Sequence, residues 1–153
     1  MLDKERILAK IDELDGYLKE IAEVLPESFK DYKRTEKKRS CERLLQLGIE
    51  CLIDIAKLFV KGLRLGIPSE ENDLFKKLSE AKVLSASSAE ALRSMRGFRN
   101  VLIHEYANVD DRIVFKYVKE NIGDFDKIKK EFLEFLKNLL PTQFPLLFSS
   151  KIL

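Results

Sequence analysis

The sequence predicts an all-α protein, an up-and-down bundle of four main helices with short helices between them over residues 1–140, followed by an irregular apolar tail at 141–153. Apolar residues recur every three or four positions along most of the chain, which is the period of an amphipathic helix. The chain contains 6 Gly, 4 Pro and no Trp, a composition that favours long helices over turn-rich sheets. Its 153 residues suffice for one domain with its own core, and no repeat or linker divides them.

The first predicted helix runs from about Leu2 to Leu25 and ends before Pro26, because proline cannot continue a helix. Its apolar positions are spaced alternately by four and three residues: Ile7, Ile11, Leu14, Leu18, Ile21 and Leu25. Such a seam lasts only about three heptads, so it favours packing inside a bundle over a free coiled coil.

A second long helix is predicted to reach about Leu63. It carries two apolar stripes, one of Leu45, Ile49, Leu52, Ala56, Phe59 and Leu63 and the other of Leu44, Leu47, Cys51, Ile55 and Leu58. A helix that is apolar on two sides is either central or shared with another subunit. Glu50 and Asp54, one turn apart on it, are general-acid candidates in principle, but we expect them to pair with arginines of a later helix.

The segment from Lys30 to Arg39 holds six basic and two acidic residues. Its plainer interpretation is the solvated first turn of the second long helix. The functional interpretation is an electrostatic track for an RNA backbone, in which Lys33, Arg34, Lys37 and Lys38 approach phosphates. Tyr32 beside them could stack on a base, although a lone tyrosine at a helix start is more often a packing residue.

Two helix starts are expected after the Gly62, Gly66 and Pro68 turn. Ser69 is predicted to cap a short helix that reaches about Ala81, buried through Leu74, Phe75 and Leu78. Ser87, with Glu90 three residues later, is predicted to form a capping box for the next helix.

The last part of the chain is predicted to begin at a cap on Asp110, with Ile113, Val114, Tyr117 and Val118 facing inward. Gly123 is expected to break or kink this helix. A final amphipathic segment follows, ended by Pro141, with its phenylalanines in the core. The apolar tail is either a strap across the bundle or a partner contact.

The residues with most chemical potential lie between Leu92 and Tyr106. On a helix at about 100° per residue, one face collects polar side chains, and the opposite face is a core stripe. The polar face contains Arg93, Arg96, Arg99, Asn100, His104 and Tyr106, and the core stripe contains Ala91, Met95, Phe98, Val101 and Leu102. Gly97 in this helix costs about 1 kcal/mol, so we expect a facing backbone or a ligand to approach it closely.

The polar face favours an anionic ligand. No acidic residue lies between Glu90 and Glu105, so Arg93, Arg96 and Arg99 are expected to lack a partner within their own helix. Guanidinium groups match oxyanions such as phosphate. His104 is the only histidine of the chain, and imidazole titrates near neutral pH, so it is the natural proton carrier beside a bound phosphate.

These residues also carry a family resemblance. Arg99, four residues, His104, one residue and Tyr106, with Asn100 after the arginine, resembles the Arg-x4-His-x-Tyr signature of HepT toxins, a branch of the HEPN ribonucleases. The stretch MRGFRNVLIHEY, the segment KLSEAKVLSASSAEAL before it and the upstream helix ERLLQLGIECLIDIA extend the resemblance over most of the chain.

The resemblance implies a HEPN-like fold and a metal-independent endoribonuclease that acts as a toxin, with active groups from both subunits. It also implies a partner, a minimal nucleotidyltransferase antitoxin that adenylylates Tyr106. Cutting RNA through its own 2′-hydroxyl needs two proton carriers, and a two-fold homodimer supplies His104 twice. Arg99, with Arg96, would stabilise charge on the phosphorane, and Asn100 would orient His104 or hold a phosphate oxygen. Arg93 would bind phosphate.

Two other functions remain open at this point: a non-catalytic HEPN module that scaffolds or presents substrate to a nucleotidyltransferase, and a plain RNA-binding dimer. The net charge of +2 predicts no global attraction to nucleic acid, so any RNA affinity must come from local clusters. Cys41 and Cys51, ten residues apart on one helix, are beyond disulfide reach and predicted to be reduced. We expect no metal and no cofactor, no signal peptide or membrane span, and a cytoplasmic location.

Overall fold

The computed structural model describes residues 1–143, with the backbone alone for residue 106 and residues 140–143. Within them, all regular secondary structure is helical, as the sequence predicts. The helices are α1 (Lys4–Val24), α2 (Phe29–Tyr32), α3 (Thr35–Gly62), α4 (Glu71–Glu80), α5 (Ala86–His104) and α6 (Asp111–Gln143), with a 3-10 turn at Tyr106–Asn108. The four long helices α1, α3, α5 and α6 alternate in direction, which confirms the predicted up-and-down bundle.

Helix α1 forms because its apolar seam has a partner in α3. Four seam residues are buried, and the remaining two, Leu18 and Leu25, are partly buried against the same core. The Asp3 side chain accepts a hydrogen bond from the Arg6 backbone N–H at 3.1 Å and so caps the first turn. The Cys51 thiol of α3 donates to the carbonyl oxygen of Lys10 at 3.0 Å, which ties the two helices together near their middles.

Helix α3 is the centre of the bundle. Residues of both predicted stripes are buried, and the helix packs against α1, α4, α5 and α6. Of the two alternatives for a helix that is apolar on two sides, the structure therefore supports a central position. Cys41 and Cys51 lie buried and unbridged on α3, as predicted, and burial raises the pKa of these thiols to about 11 and about 12, respectively.

The predicted caps of α4 and α5 are wrong by one or two residues. Helix α4 begins at Glu71 without a side-chain cap, and Ser69 instead donates its backbone N–H to the Asp73 carboxylate at 3.0 Å. At α5 the capping residue is Ser85, whose hydroxyl accepts from the Ser88 N–H at 3.1 Å. Ser87 lies inside the first turn of α5, and its hydroxyl accepts from the Lys127 ammonium of α6. Tertiary contacts to α6 therefore select the earlier serine.

Helix α6 is continuous where the sequence predicts a break. Asp110 caps it as predicted, accepting from the Arg112 N–H at 2.9 Å, but Gly123 does not interrupt it and Pro141 lies inside its last turn. A buried stripe runs along both sides of Gly123, namely Val114, Val118, Phe125, Ile128, Phe132 and Leu136. Burial of this stripe outweighs the roughly 1 kcal/mol that a helical glycine costs.

Two further details of the C-terminal part differ from, or fall outside, the expectations. Ile113 is 61% exposed and does not face inward as predicted, whereas the phenylalanines Phe125 and Phe132 are fully buried, as predicted. The division into a bundle and a tail at residue 140 stays a prediction. Residues 144–153 of the predicted tail lie outside the described residues.

Two glycines give opposite predictions for the same substitution. A Cβ on Gly62 would lie 2.7 Å from the backbone Cα of Leu2, whereas one on Gly16 would meet nothing within 4 Å. Gly62→Ala should therefore lower the free energy of unfolding by about 1–3 kcal/mol through overpacking. Gly16→Ala, its matched control in an exposed helix interior, should raise it by roughly 0.5–1 kcal/mol. Urea unfolding followed by circular dichroism measures both, and equal effects would contradict the close approach of Leu2 to Gly62.

Candidate active site

Helix α5 is anchored at its N-terminus by a carboxylate of α6. Glu131 accepts from the Ser85 backbone N–H at 2.6 Å and from the Ser85 and Ser88 hydroxyls at 3.1 and 2.5 Å. Burial alone would raise the pKa of Glu131, but these donors outweigh it and hold the pKa below its usual value. An anion at a helix N-terminus is also favoured by the helix dipole. The start of the candidate site helix is therefore fixed to the bundle.

The inner face of α5 packs as the sequence predicts over most of its length. Leu92 and Met95 are fully buried, and Leu102 is 6% exposed. Phe98 stacks on Tyr117 of α6, with ring centroids 4.0 Å apart, which aligns the C-terminal half of α5 with the start of α6. Val101 departs from the predicted core stripe, because 39% of its surface is exposed.

The three arginines of α5 are all paired. The expectation that they lack a carboxylate partner within their own helix is wrong for Arg93 and correct for Arg96 and Arg99. Arg93 donates to Glu90 of the same helix at 2.8 Å, an i,i+3 pair near its surface. Arg96 Nε and Arg99 Nη2 both donate to a single oxygen, Oε1 of Glu71, at 2.9 and 2.6 Å. The first turn of α4 thus supplies the anion that α5 itself lacks.

Glu71 is the residue that the sequence analysis missed. Burial alone would raise the pKa of Glu71, but the hydrogen bonds and positive charges of Arg99 and Arg96 outweigh it and hold the pKa below its usual value. Glu71 is therefore ionised throughout the neutral pH range, and only acidification through this lowered pKa would remove its charge.

The predicted partners of the arginines, Glu50 and Asp54, are wrong. Glu50 accepts from Gln46 of its own helix at 3.0 Å, and Asp54 accepts from Lys10 of α1 at 3.3 Å. The prediction fails because these carboxylates of α3 point towards neighbours in α3 and α1, whereas the arginines of α5 point towards α4.

Asn100 fixes Arg99. Its Oδ1 accepts from Arg99 Nε at 3.2 Å and from Arg99 Nη2 at 3.0 Å. No hydrogen bond joins Asn100 to His104 among the described residues, and the role of Asn100 in orienting His104 or holding a phosphate oxygen stays a prediction. Arg99, with 12% of its side chain exposed, is held by Glu71 and Asn100 together.

His104 is the last residue of α5, and its side chain is exposed. The backbone of Tyr106 lies in the 3-10 turn, so the angle that a continuous helix would give it does not apply. Arg99 and His104 are five residues apart on a regular helix, which separates them by about 140° around its axis. Within one chain they therefore point in different directions.

Gly97 also lies on the exposed side of α5. A Cβ there would meet no described atom within 4 Å, so the expected approach of a facing backbone is wrong within the subunit. Approach by a ligand or a second subunit stays a prediction. Ile103, next to His104, is 41% exposed, and Val101 is 39% exposed. Exposed apolar side chains therefore lie near the histidine.

The basic segment lies at the same end of the bundle as His104. Lys38 of α3 pairs with Asp111 of α6 at 3.1 Å, and Phe29 of α2 packs against Phe115 of α6. Helix α6 begins seven residues after His104, so α2 and the start of α3 lie beside the end of α5. The structure therefore brings the basic segment towards the candidate site.

Members of this segment differ in what they can contribute. Tyr32 is fully buried against Phe115, so it packs and cannot stack on a base. Lys38 is engaged by Asp111, and Lys33 lies 5.9 Å from the Phe29 ring centroid. Arg34 is exposed at the start of α3, and Lys37 is half-buried one turn from Cys41. The role of Lys33, Arg34, Lys37 and Lys38 in binding RNA stays a prediction.

Two properties of the whole described region bear on possible ligands. Among residues 1–143, no group of three or more His, Cys, Asp or Glu side chains is arranged to hold a metal ion. No helix in that region is both long and apolar enough to cross a membrane.

Comparison with known proteins places these features in a family. The family model "Ribonuclease HepT-like" matches residues 14–132. The mRNA nuclease HepT of Shewanella oneidensis is 31% identical over 83 residues, which cover 54% of this chain and 62% of that protein. The tRNA nuclease HepT of Aphanizomenon flos-aquae is 29% identical over 110 residues, covering 71% and 75% of the two chains.

A solved structure agrees with these sequence relatives. The tri-AMPylated Shewanella oneidensis HEPN toxin, in complex with MNT antitoxin, superimposes with a TM-score of 0.78 at 26% identity, covering 84% of this chain and 96% of that one. The family model spans α4, which supplies Glu71, and α5, which supplies the arginines and His104. On this evidence the chain belongs to the ribonuclease HepT-like family.

Proposed function

We propose that this chain is a metal-independent endoribonuclease toxin that works as a two-fold homodimer and is neutralised by a minimal nucleotidyltransferase antitoxin. Arg99, Asn100 and His104 would form the site, and Tyr106 would receive the adenylyl group. The observation that carries the proposal is the contrast at the end of α5, where Arg99 is held rigidly by Glu71 and Asn100 while His104 is exposed nearby. A fixed cation and an accessible imidazole, brought to the same phosphate, suit phosphodiester cleavage.

A second copy of the chain solves the geometric problem of the site. Because Arg99 and His104 diverge by about 140° on one helix, the two residues of one chain cannot readily converge on a single phosphate. Two α5 helices facing each other would bring His104 of one copy towards Arg99 of the other and supply two imidazoles. The exposed Val101, Ile103 and Ile113 provide apolar surface for such a contact.

The reaction follows from these groups. One His104 removes the proton from an RNA 2′-hydroxyl, whose oxygen attacks the adjacent phosphorus. The second His104 gives a proton to the departing 5′-oxygen, so that a cyclic phosphate and a 5′-hydroxyl result. Arg99 lies ready to stabilise the extra negative charge of the phosphorane, because its guanidinium is already oriented before RNA binds.

The antitoxin part of the proposal is supported by the AMPylated toxin structure in complex with MNT antitoxin, to which this chain is similar. Tyr106 is in the position that the Arg-x4-His-x-Tyr pattern gives the modified tyrosine. An adenylyl group adds bulk and negative charge two residues from His104, so it would occupy space and cationic partners that RNA needs.

Replacing His104 by alanine should separate binding from cleavage. General acid-base catalysis contributes about 10² to 10⁴ in rate, so His104→Ala should reduce RNA cleavage by that factor while RNA affinity stays within about twofold. Cleavage of labelled RNA in the presence of a chelator, with affinity measured by fluorescence anisotropy, tests both parts. Equal cleavage by the variant would contradict the proposed role, and RNA retention without cleavage by the unmodified protein would favour the plain RNA-binding dimer.

Placing a charge on the apolar surface beside His104 should dissociate the dimer. Ile103→Asp should give a monomer by light scattering and lose RNA cleavage, because a buried unpaired carboxylate opposes association. Ile67→Asp is the matched control, since Ile67 is 94% exposed in the connection between α3 and α4. The control should remain dimeric and active; a dimeric, active Ile103 variant would refute the shared site.

Tyr106→Phe should abolish modification and leave nuclease activity. With a cognate minimal nucleotidyltransferase and labelled ATP, the unmodified protein should take up label and lose RNA cleavage, whereas the phenylalanine variant should do neither, because it lacks the phenol oxygen that accepts the adenylyl group. Mass spectrometry locates the label. Label on another residue, or inhibition of the variant by AMP transfer, would contradict this assignment.

A further inference from the structure

One carboxylate oxygen at the candidate site is shared by two guanidinium groups. Glu71 Oε1 lies 2.6 Å from Arg99 Nη2 and 2.9 Å from Arg96 Nε, and the carboxylate comes from α4, across the α4–α5 hairpin. Glu71 and Arg96 each keep about a quarter of their side-chain surface exposed, so the cluster is open to a ligand on one side.

The charges of this cluster do not cancel. Two guanidinium groups carry two positive charges and Glu71 carries one negative charge, which leaves one positive charge. A phosphodiester carries one negative charge, so the cluster becomes neutral only when a phosphate joins it. With one carboxylate for each arginine, the cluster would be neutral and would not attract a phosphate. With no carboxylate, the two adjacent guanidinium groups would repel each other.

The hydrogen bonds leave part of Arg99 available. Its Nε and Nη2 are engaged by Asn100 and Glu71, while Nη1, with two N–H donors, donates to no described residue. Glu71 therefore fixes one edge of the guanidinium plane and leaves another edge for a ligand. A pair that only braced α4 on α5 would gain nothing from keeping these donors free.

We propose that Glu71 is the positioning residue of this site, which orients Arg99 for the phosphate of the RNA and limits how tightly that phosphate is held. This assignment rests on the proposed function, because it takes RNA as the ligand. Glu71 does not touch the reacting atoms; it acts through Arg99. It thus trades RNA affinity for the precise placement of the charge that stabilises the transition state.

The proposal predicts a split between KM and kcat. Glu71→Gln keeps an oxygen that accepts from both arginines but removes the negative charge, so KM for RNA should fall by about three- to tenfold, or about 0.7–1.4 kcal/mol, with kcat reduced by less than about threefold. Glu71→Ala also removes the acceptor, so Arg99 loses its orientation and kcat should fall by about 10². Its KM should fall as well. A merely structural brace would instead leave KM unchanged or raised while activity follows thermal stability.

Glu70→Gln is the matched control, because Glu70 is the exposed neighbour at the start of α4 and makes no side-chain cap bond. It should leave KM, kcat and the melting temperature unchanged. An unchanged or raised KM in the Glu71→Gln protein, with folding intact by circular dichroism, would overturn the proposal.

A second measurement does not depend on cleavage. In the unmodified protein, the Arg99 Nη2 protons should give a slowly exchanging signal by nitrogen-15 NMR, assigned with Arg99→Lys, because Nη2 donates to both Glu71 and Asn100. Glu71→Ala should lose this protection, and its retention would overturn the positioning role even if RNA is cut. The affinity of the His104→Ala protein for a fluorescein-labelled oligouridine, with and without Glu71→Gln, tests the charge effect separately. If the unmodified protein neither binds nor cuts RNA, the proposed function fails. Loss of NMR protection in the Glu71→Ala protein would even then support the role of Glu71 in orienting Arg99.

Discussion

The position of α5 depends on two carboxylates that reach it from different helices. Glu131 of α6 binds the backbone N–H and hydroxyl groups at its start, and Glu71 of α4 binds the arginines towards its end. Between them, the buried Leu92 and Met95 attach the helix to the core. Apolar packing alone would allow α5 to slide or rotate slightly, because it is non-directional. The directed bonds at both ends remove that freedom, and the arginines are placed accordingly.

This anchoring of α5 keeps Arg99 and His104 on different sides of the helix. A helix that is fixed cannot turn to bring Arg99 and His104 to the same side, and their spacing sets them about 140° apart. The chain solves the problem for Arg99 by burying it against Glu71 and Asn100, and leaves His104 at the exposed end among apolar side chains. Catalysis by such a site would be a property of an assembly, and the strength of association would then set the amount of active enzyme.

The fold and the placement of the candidate residues on one helix were predictable from the sequence, because both follow from local patterns. The buried stripes of α1 and α3 have the period of a helix, and the arginines and His104 fall on one short stretch. The caps on Ser69 and Ser87 were mispredicted because neighbouring residues are locally equivalent as helix starts. At α5, contacts with α6 select Ser85, and at α4 the Ser69 backbone N–H donates to Asp73 instead. Gly123 was mispredicted because burial along a long stripe exceeds a glycine's intrinsic cost.

The partner of the arginines required information from two segments at once. Glu71 lies ten residues before Ala81 and Arg96 lies ten residues after Ala86, so an antiparallel α4–α5 hairpin brings them level across the bend. That symmetry is a signal that the sequence contains, but it becomes visible only once the hairpin is assumed. From the patterns of α3 and α5 alone, Glu50 and Asp54 were predicted instead, and their partners lie in α3 and α1.

The 3-10 turn that contains the Tyr106 backbone is a place where a covalent change need not disturb the neighbouring helices. Helix α5 ends at His104 and α6 starts at Asp111, so this turn is a short bridge whose conformation is not part of either helical hydrogen-bond ladder. Covalent chemistry on a bridge of this kind alters local shape and charge without melting a turn of the helix on either side. A group attached at this turn would leave the hydrogen-bond ladders of α5 and α6 intact, so the bundle would persist around it.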